Sequence, residues 1–273
     1  MKRTMKHIFL MVIGCLLAVS CIINIGGGAT VFGDTTEEGI DYTEVREVGS
    51  FHSLSSSLPC TVYLSQGDKQ EVRVESTEEL APKVLTTVEN GTLKLKLEEG
   101  RYSKIVLRMV ITVPDIESIE LRGSGSLVHE GILQASKDLS VRVSGSGDIR
   151  LGAIACKAFD AHISGSGHAR IQGEAAVDGD MDLSTRGSGD IDMESVTATG
   201  NASVRTSGSG HIRLREVAVD GDMDLKTSGS GDIFVNGSCH DVTASSSGSG
   251  NISGNLSHAG MRVSTAGSGS VNL

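Results

Sequence analysis

The tripeptide Gly-Ser-Gly recurs through the second half of the chain and constrains the fold more than any other feature. It occurs eight times, with spacings of 22, 20, 22, 21, 21, 19 and 19 residues, opening at Gly123, Gly145, Gly165, Gly187, Gly208, Gly229, Gly248 and Gly267. A period near 20 residues, repeated this often, indicates a solenoid built from stacked coils.

Apolar residues alternate with polar ones on both sides of each Gly-Ser-Gly. Around Gly187, for example, Leu183, Ile191 and Met193 hold the apolar positions. Period-2 alternation predicts two short half-buried strands per repeat, and the glycines permit a sharp bend between them. Parallel stacking of the coils, about 4.8 Å apart, would place equivalent apolar residues above one another in one continuous core. We therefore predict an all-β fold, a parallel β-helix (β-solenoid) with coils of about 20 residues and Gly-Ser-Gly corners.

These motifs resemble the head GIN domain family of putative autotransporter adhesins. The resemblance is carried by segments such as Gly145–Ile149 and Gly208–Ile212 and by the lead-in Pro114–Ile119, and it extends over roughly residues 45–273. That family is a domain of unknown function common in envelope lipoproteins of Bacteroidota. The resemblance implies a right-handed parallel β-helix and an envelope location. It supplies no catalytic residues, because the family has none agreed.

The first 20 residues have the pattern of an export signal. Three cations precede the apolar run Ile8–Val19, and small residues follow it. Cys21 then stands where a bacterial lipoprotein carries its diacylglyceryl group, and Leu16–Ser20 resembles the loose lipobox of Bacteroidota. We expect an exported lipoprotein held in the cell envelope, in the outer membrane, by a lipid on Cys21, on either its surface or its periplasmic side. Ordinary cleavage after Ser20 and an uncleaved membrane anchor are the alternatives.

Composition divides the remaining chain into three parts. Residues 21–41 are glycine-rich and then acidic, which is typical of a flexible tether. Residues 42–119 lack the glycine period, and we predict that they form less regular coils that cap the solenoid, whose regular repeats occupy 120–273. Asn90-Gly91 predicts a two-residue hairpin. The candidate strands of the capping region are Thr61–Leu64, Glu71–Glu75, Val84–Val88, Thr92–Leu97 and Val106–Val113.

The final repeat ends on an inward position, Leu273, without a polar segment after it. This pattern predicts either a last coil protected by small polar residues or end-to-end association of two copies into a homo-oligomer.

The net charge and the aromatic content of the chain limit the classes of partner that it could bind. The net charge of −10 argues against nucleic acid and anionic lipid headgroups as partners. Aromatic residues make up only 3 %, which predicts a thin aliphatic core and offers few rings for stacking sugars. Cys156 and Cys239 lie about four coils apart, too far for a disulfide, so we predict that both, with Cys60, are buried free thiols.

The residue after each Gly-Ser-Gly forms a ladder in which acidic and imidazole groups alternate. Its central members are Asp148, His168, Asp190, His211 and Asp232. Asp and His both bind Zn²⁺ and related ions, so a metal or ligand strip is one hypothesis. A charge-balanced ladder on a solvated face is the other, and the sequence favours it because alternation relieves the repulsion between stacked carboxylates.

Two further acidic patterns could support chemistry. Asp178, Asp180 and Asp182 recur 42 residues later as Asp220, Asp222 and Asp224, without the loop sequences that bind Ca²⁺, so a solvated acidic face is favoured. Asp190 and Asp192 with Arg213 could form the carboxylate site of a polysaccharide lyase or hydrolase. The nearly uniform coils, without long loops to wall a cleft, argue against an enzyme. No nucleotide or cofactor motif is present, so we expect no cofactor.

These observations favour a non-enzymatic envelope lipoprotein that presents a rigid β-helical surface for adhesion or partner binding, with a glycan or a protein as its ligand. The recurring Thr185, Thr206 and Thr227 are expected to lie on that surface. A carbohydrate-active enzyme and a structural periplasmic scaffold are the alternatives.

Overall fold

The predicted β-solenoid is confirmed. The computed structural model describes residues 22–25, 29–32 and 35–273. The predicted signal segment and Cys21 lie outside these residues. The described chain forms a stack of parallel coils with about 7 turns of about 21 residues each.

Strands make up almost all of the described secondary structure. One short 3₁₀ helix, Ala81–Lys83, interrupts them, and the described residues contain no helix that is long and apolar enough to span a bilayer. The strands are β1 Ile22–Ile25, β2 Ala29–Phe32, β3 Thr35–Thr36, β4 Tyr42–Val45, β5 Ser53–Ser56, β6 Thr61–Gln66, β7 Glu71–Ser76, β8 Val84–Glu89, β9 Thr92–Leu97, β10 Gly100–Tyr102, β11 Ile105–Val113, β12 Ser118–Gly123, β13 Ser126–Gln134, β14 Leu139–Gly145, β15 Asp148–Cys156, β16 Phe159–Gly165, β17 His168–Val177, β18 Met181–Gly187, β19 Asp190–Ala198, β20 Ala202–Gly208, β21 Ile212–Val219, β22 Met223–Gly229, β23 Ile233–Ser238, β24 Asp241–Gly248, β25 Ile252–Ser257, β26 Gly260–Gly267 and β27 Val271–Asn272.

Each regular coil gives one strand to each of two parallel sheets. The first sheet contains the odd-numbered strands from β13 to β27, and the second contains the even-numbered strands from β12 to β26. Pairing keeps the repeat in register, so that Ile191 lies beside Ile212 in the first sheet and Leu183 beside Val204 in the second. Equivalent residues of successive coils therefore form columns along the solenoid axis.

The columns that face inward fill the space between the two sheets. Alternate residues of each strand are buried, as in β18, where Met181, Leu183 and Thr185 point inward. One continuous cluster of buried side chains runs from Phe51 to Leu256. The core is mainly aliphatic, as the low aromatic content predicts, because narrow coils have little room for rings.

The Gly-Ser-Gly corners need glycine for two different reasons. The first glycine has a positive φ at every corner, for example +122° at Gly208, which side chains rarely adopt. The second glycine packs against the coil below, and a Cβ on Gly210 would overlap the carbonyl oxygen of Gly189. The amides of Ser209 and Gly210 both donate to the carbonyl oxygen of Gly187, at 2.7 and 3.0 Å. The stacking itself therefore fixes the corner sequence.

The segment before the regular repeats changes the direction of strand pairing. Strands β5 and β6 form a coil that continues the stack, pairing parallel with β12 and β13. Beyond it, β9 and β11 pair with antiparallel partners, β8 and β7, and β4 extends the latter edge. The predicted hairpin is confirmed: Asn90 and Gly91 have φ of +51° and +72° and join β8 to β9.

The opposite end of the stack is open. In β26, Met261 and Val263 occupy the columns of the buried Val242 and Ala244, yet they are 45 % and 49 % exposed. The outer edges of β26 and β27 have no strand partner among the described residues.

Candidate functional site

The predicted Asp/His ladder lies along one corner of the solenoid, in adjacent coils. Asp148 pairs in register with His168, and His168 pairs with Asp190. The imidazole Nδ1 of His168 lies 3.7 Å from a carboxylate oxygen of Asp190, and that of His211 lies 3.5 Å from one of Asp232. These side chains are partly exposed, as expected for an outward column.

From Asp190 onwards, the side chains of the ladder accept hydrogen bonds from backbone amides of the next coil. Asp190 Oδ1 accepts from the amide of His211 at 2.7 Å, and His211 Nδ1 accepts from the amide of Asp232 at 3.2 Å. Asp232 Oδ1 then accepts from the amide of Asn251 at 2.8 Å. Each of these side chains supplies an acceptor to the coil above it. This arrangement gives the ladder a structural role, while its use as a metal or ligand strip stays a hypothesis.

The candidate catalytic carboxylates lie within an ion-pair network. Asp192 contacts the guanidinium groups of Arg170 and Arg213, each at 3.4 Å, and Asp190 lies 3.9 Å from Arg213. Both carboxylates are largely covered, and Asp190 also holds the backbone of the next coil. These contacts give both carboxylates a structural role in the fold.

The expected threonine surface is wrong, because Thr185, Thr206 and Thr227 are buried. They stand two residues before the first corner glycine, and alternation from the buried residue four before it turns them inward as well. Inside, Thr206 donates to Thr227 at 2.9 Å and Thr227 donates to the carbonyl oxygen of Gly231 at 2.5 Å. The Thr185 hydroxyl has no partner in the described part of the chain. This column cannot contact a ligand.

A groove with a volume of about 800 Å³ runs along the second sheet, where its strands begin. Two outward columns wall it, one on each side of the buried Leu139, Phe159, Met181, Ala202 and Met223. We call it the axial groove. Its outer row is Asp138, Ala158, Asp180, Asn201, Asp222 and Asp241, and its inner row is Ser140, Asp160, Asp182, Ser203, Asp224 and Thr243.

The two rows differ in how their charges are balanced. A third column, with Arg142, Arg205 and Lys226 among its members, flanks the inner row. Arg142 binds Asp160 at 2.8 Å, and Arg205 bridges Asp182 and Asp224, in the coils on either side of its own, at 2.9 and 3.0 Å.

The outer row lacks such cations. Asp138, Asp180 and Asp222 have no Lys or Arg partner in the described part of the chain. The negative charge of the axial groove is therefore concentrated on its outer row.

One end of the outer row contains a mixed cluster. Asp222, His240 and Asp241 each offer a ligand atom within 4.8 Å of the others, and no other group of this kind exists among the described residues. His240 Nδ1 lies 3.1 Å from Asp222 Oδ1. The cluster is solvent-exposed.

The three described cysteines are buried free thiols, as predicted. Burial raises the pKa of the Cys156 thiol to about 11. Burial also raises the pKa of Cys239, and the nearby carboxylates of Asp222 and Asp241 add to the effect. These thiols are protonated at neutral pH and therefore poor nucleophiles.

Sequence reasoning missed the axial groove. It identified the aspartates of the groove as a solvated acidic face but did not compare the columns beside them. The signal was available, because aligning the repeats on their glycines shows an acidic column beside a column with Arg142, Arg205 and Lys226.

The sequence pattern of one family, described as "Putative auto-transporter adhesin, head GIN domain", matches residues 50–238 and 181–273. No curated protein matches the chain.

Solved structures of similar fold come from species of Parabacteroides and Bacteroides. A "putative lipid binding protein" from Parabacteroides distasonis is 22 % identical, with a TM-score of 0.75, and the match covers 88 % of this chain and 99 % of that one. A "putative adhesin" from the same species is 18 % identical, with a TM-score of 0.78 and the same coverage. Another from Bacteroides fragilis is 18 % identical, with a TM-score of 0.63, covering 87 % of this chain and 98 % of that one. At these identities the likeness establishes the fold.

Proposed function

The chain belongs to the family of putative auto-transporter adhesins with a head GIN domain, and we propose that it is a non-enzymatic envelope lipoprotein that binds a partner along its rigid β-solenoid. The observation that carries this proposal is the axial groove, which crosses five coils and is not closed over by any loop of the described residues. An open groove on a stiff scaffold suits an elongated ligand, held by many weak contacts that add along its length.

The location belongs to the same proposal. An adhesin-like family suggests an exported, envelope-associated protein. The sequence before Cys21 supports lipid attachment there. The segment expected to be a flexible tether contains β1 to β3, of which β2 pairs with β10 and β3 with β11, so the lipid would hold the capping end of the solenoid near the membrane. Replacing Cys21 by serine should abolish incorporation of radiolabelled fatty acid and release the chain from the membrane fraction.

Proteinase digestion of intact cells of the source organism tests the proposal first. Loss of the full-length band while the cells remain intact would support exposure on the surface. Protection until lysis would contradict an adhesin, and would favour an internal scaffold.

Binding is tested with a substitution that fills the axial groove. Ser203 lies on the inner row and its hydroxyl has no hydrogen-bond partner among the described residues, so Ser203→Trp should block the groove without removing a bond. Ala218→Trp, at an exposed position of the first sheet, is the matched control, because it also removes no side-chain bond. Cells that display Ser203→Trp should adhere less to immobilised host proteins and glycans than cells that display Ala218→Trp. Equal adhesion would contradict a role for the groove.

The carbohydrate-active alternative is tested at the candidate catalytic pair. Because Asp190 and Asp192 are engaged by arginines and by the backbone, we propose that they are structural. Asn at both positions should leave any glycan-cleaving activity of the purified protein unchanged. Cleavage by the native chain that the double variant loses would establish an enzyme.

Self-association through the open end is a further part of the proposal, supported by the exposure of Met261 and Val263. Light scattering at high micromolar concentration should give a dimer mass, and Met261→Lys with Val263→Lys should return it to a monomer. A monomer mass for the native chain would contradict the idea.

A further inference from the structure

The outer row of the axial groove carries more negative charge than the fold requires. Asp180 Oδ1 accepts from the amide of Asn201 at 2.8 Å, and Asn201 Oδ1 accepts from the amide of Asp222 at 3.0 Å. A neutral amide and a carboxylate thus perform the same structural task in the same column. The fold needs an acceptor there, and Asn supplies one, so the charge of Asp180 is available for another role, while that of Asp222 is shared, among the described residues, only with the imidazole of His240 at 3.1 Å.

The local surroundings direct this charge towards a ligand. The arginines that neutralise the inner row do not reach Asp138, Asp180 or Asp222. Because these ion pairs neutralise the inner row, it attracts a cationic ligand little and leaves the outer row as the attractive wall. A groove of this kind complements a basic, elongated partner.

The spacing of the carboxylates specifies the form of that partner. Asp138, Asp180 and Asp222 occupy every second coil, and coils repeat about every 4.8 Å, so neighbouring charges are about 9.6 Å apart along the groove. A polyproline II helix advances about 3.1 Å per residue with three residues per turn, so every third side chain returns to one face about every 9.3 Å. The two repeats differ by about 0.3 Å per interval, or about 0.6 Å over the two intervals between Asp138 and Asp222.

Resting on the proposed role of the axial groove in partner binding, we propose that the groove binds a polyproline II segment of a partner protein with Lys or Arg at every third residue. The basic side chains pair with Asp138, Asp180 and Asp222, and the segment lies along the groove between the two rows. Such a segment is already extended before binding, which keeps the entropic cost of association low.

Fluorescence anisotropy with labelled peptides tests the proposal. The first peptide has four repeats of Arg-Pro-Pro, which place the charges about 9.3 Å apart, and the second has four repeats of Arg-Pro-Pro-Pro, about 12.4 Å apart. The full mature chain should bind the first at least about tenfold more tightly than the second, and raising the salt from about 50 to about 500 mM should weaken both. Equal affinities, or no binding, would overturn the proposal.

Matched charge variants locate the binding. Asp138→Asn, Asp180→Asn and Asp222→Asn together remove three charges while keeping the acceptors of the outer row. Glu174→Gln, Glu194→Gln and Glu216→Gln together remove three charges from exposed positions of the first sheet. The first triple variant should weaken binding of the Arg-Pro-Pro peptide at least about tenfold and the second by less than about threefold. Equal losses would mean attraction by net charge alone and would overturn the proposal.

The failure of this inference is distinguishable from failure of the proposed function. If Ser203→Trp reduces adhesion but the peptides do not bind, the groove has a different occupant. If Ser203→Trp has no effect on adhesion, the proposed function itself fails.

Discussion

His129 interrupts a column of apolar side chains, and replacing it by leucine should stabilise the protein. It stands in register between Leu64 and Leu151, and its side chain is only 4 % exposed. Its Nδ1 is buried without a hydrogen-bond partner in the described part of the chain. Leucine on both sides shows that the column accommodates that side chain, so His129→Leu should introduce little strain.

The size of the effect follows from two contributions. A buried polar group without a partner costs about 1–3 kcal/mol, and burying a leucine side chain contributes about 1.5–3 kcal/mol. Because the imidazole carbons already contribute part of the second term, we expect a net gain of about 2 kcal/mol at neutral pH. For a domain of this size that gain corresponds to a rise in Tm of about 4–8 °C.

The gain should grow in acid. Burial lowers the pKa of His129, against a smaller upward effect of the Glu130 carboxylate. The unfolded chain therefore binds a proton more readily than the folded one. The associated stability is complete above the ordinary histidine pKa of about 6.5 and is lost as the pH falls from there towards the lower pKa of the folded state, by at most about 1.4 kcal/mol per pH unit.

Thermal and urea unfolding at about pH 7.5 and about pH 5.5 measure both effects. His129→Leu should unfold later than the native chain at the higher pH and by a wider margin at the lower pH. His240→Leu, which removes an exposed imidazole, should show no such widening. Destabilisation by His129→Leu, or a margin that does not depend on pH, would refute the reasoning.

Three further predictions concern the interior and the corners. Gly210→Ala should destabilise by at least about 1–3 kcal/mol, because its Cβ would overlap a carbonyl oxygen of the coil below, whereas Gly49→Ala, in open space, should change the urea midpoint little. Thr185→Val should stabilise by about 1 kcal/mol, because it removes a buried hydroxyl without a partner, and Thr227→Val should destabilise by a similar amount because its hydroxyl is bonded; the opposite order of melting temperatures would contradict this account. Asp232→Asn should melt like the native chain and Asp232→Ala about 1 kcal/mol less stably, since the coil above needs an acceptor rather than a charge; equal losses would show that the charge matters.

Most of the fold could be predicted from the sequence because the repeat is visible in it. The glycine corners are tied to stacking through their positive φ and their contacts with the coil below, so their spacing reports the coil length directly. The hairpin at Asn90-Gly91 could also be predicted from the sequence, because a tight turn with two positive φ values selects those residues. The antiparallel pairing of β7 with β11 was not readable, since it joins segments about 30 residues apart that lack a repeat.

The exposure of the threonine column was predicted wrongly from the sequence. Thr185, Thr206 and Thr227 are polar, and polar residues are usually exposed, but strand alternation turns them inward. The hydroxyls of Thr206 and Thr227 bond to each other and Thr227 donates to a corner carbonyl, whereas the Thr185 hydroxyl has no partner among the described residues. When residue type and period disagree in a solenoid, the period decides, because each coil must match the one below it.

Polar columns of the solenoid differ in whether their residue types are explained by backbone hydrogen bonding alone. At the Asp/His corner, amides are accepted in four successive coils by Asp190, His211, Asp232 and Asn251. Their common property is an acceptor atom, so the residue types there reflect the needs of the backbone. A charge indicates function only where an uncharged neighbour performs the same structural task and no cation neutralises it. The outer row of the axial groove meets both conditions at Asp180, through the equivalent role of Asn201 and the absence of a cationic partner for Asp180 within the described residues. For that reason we propose binding at the groove rather than at the Asp/His ladder.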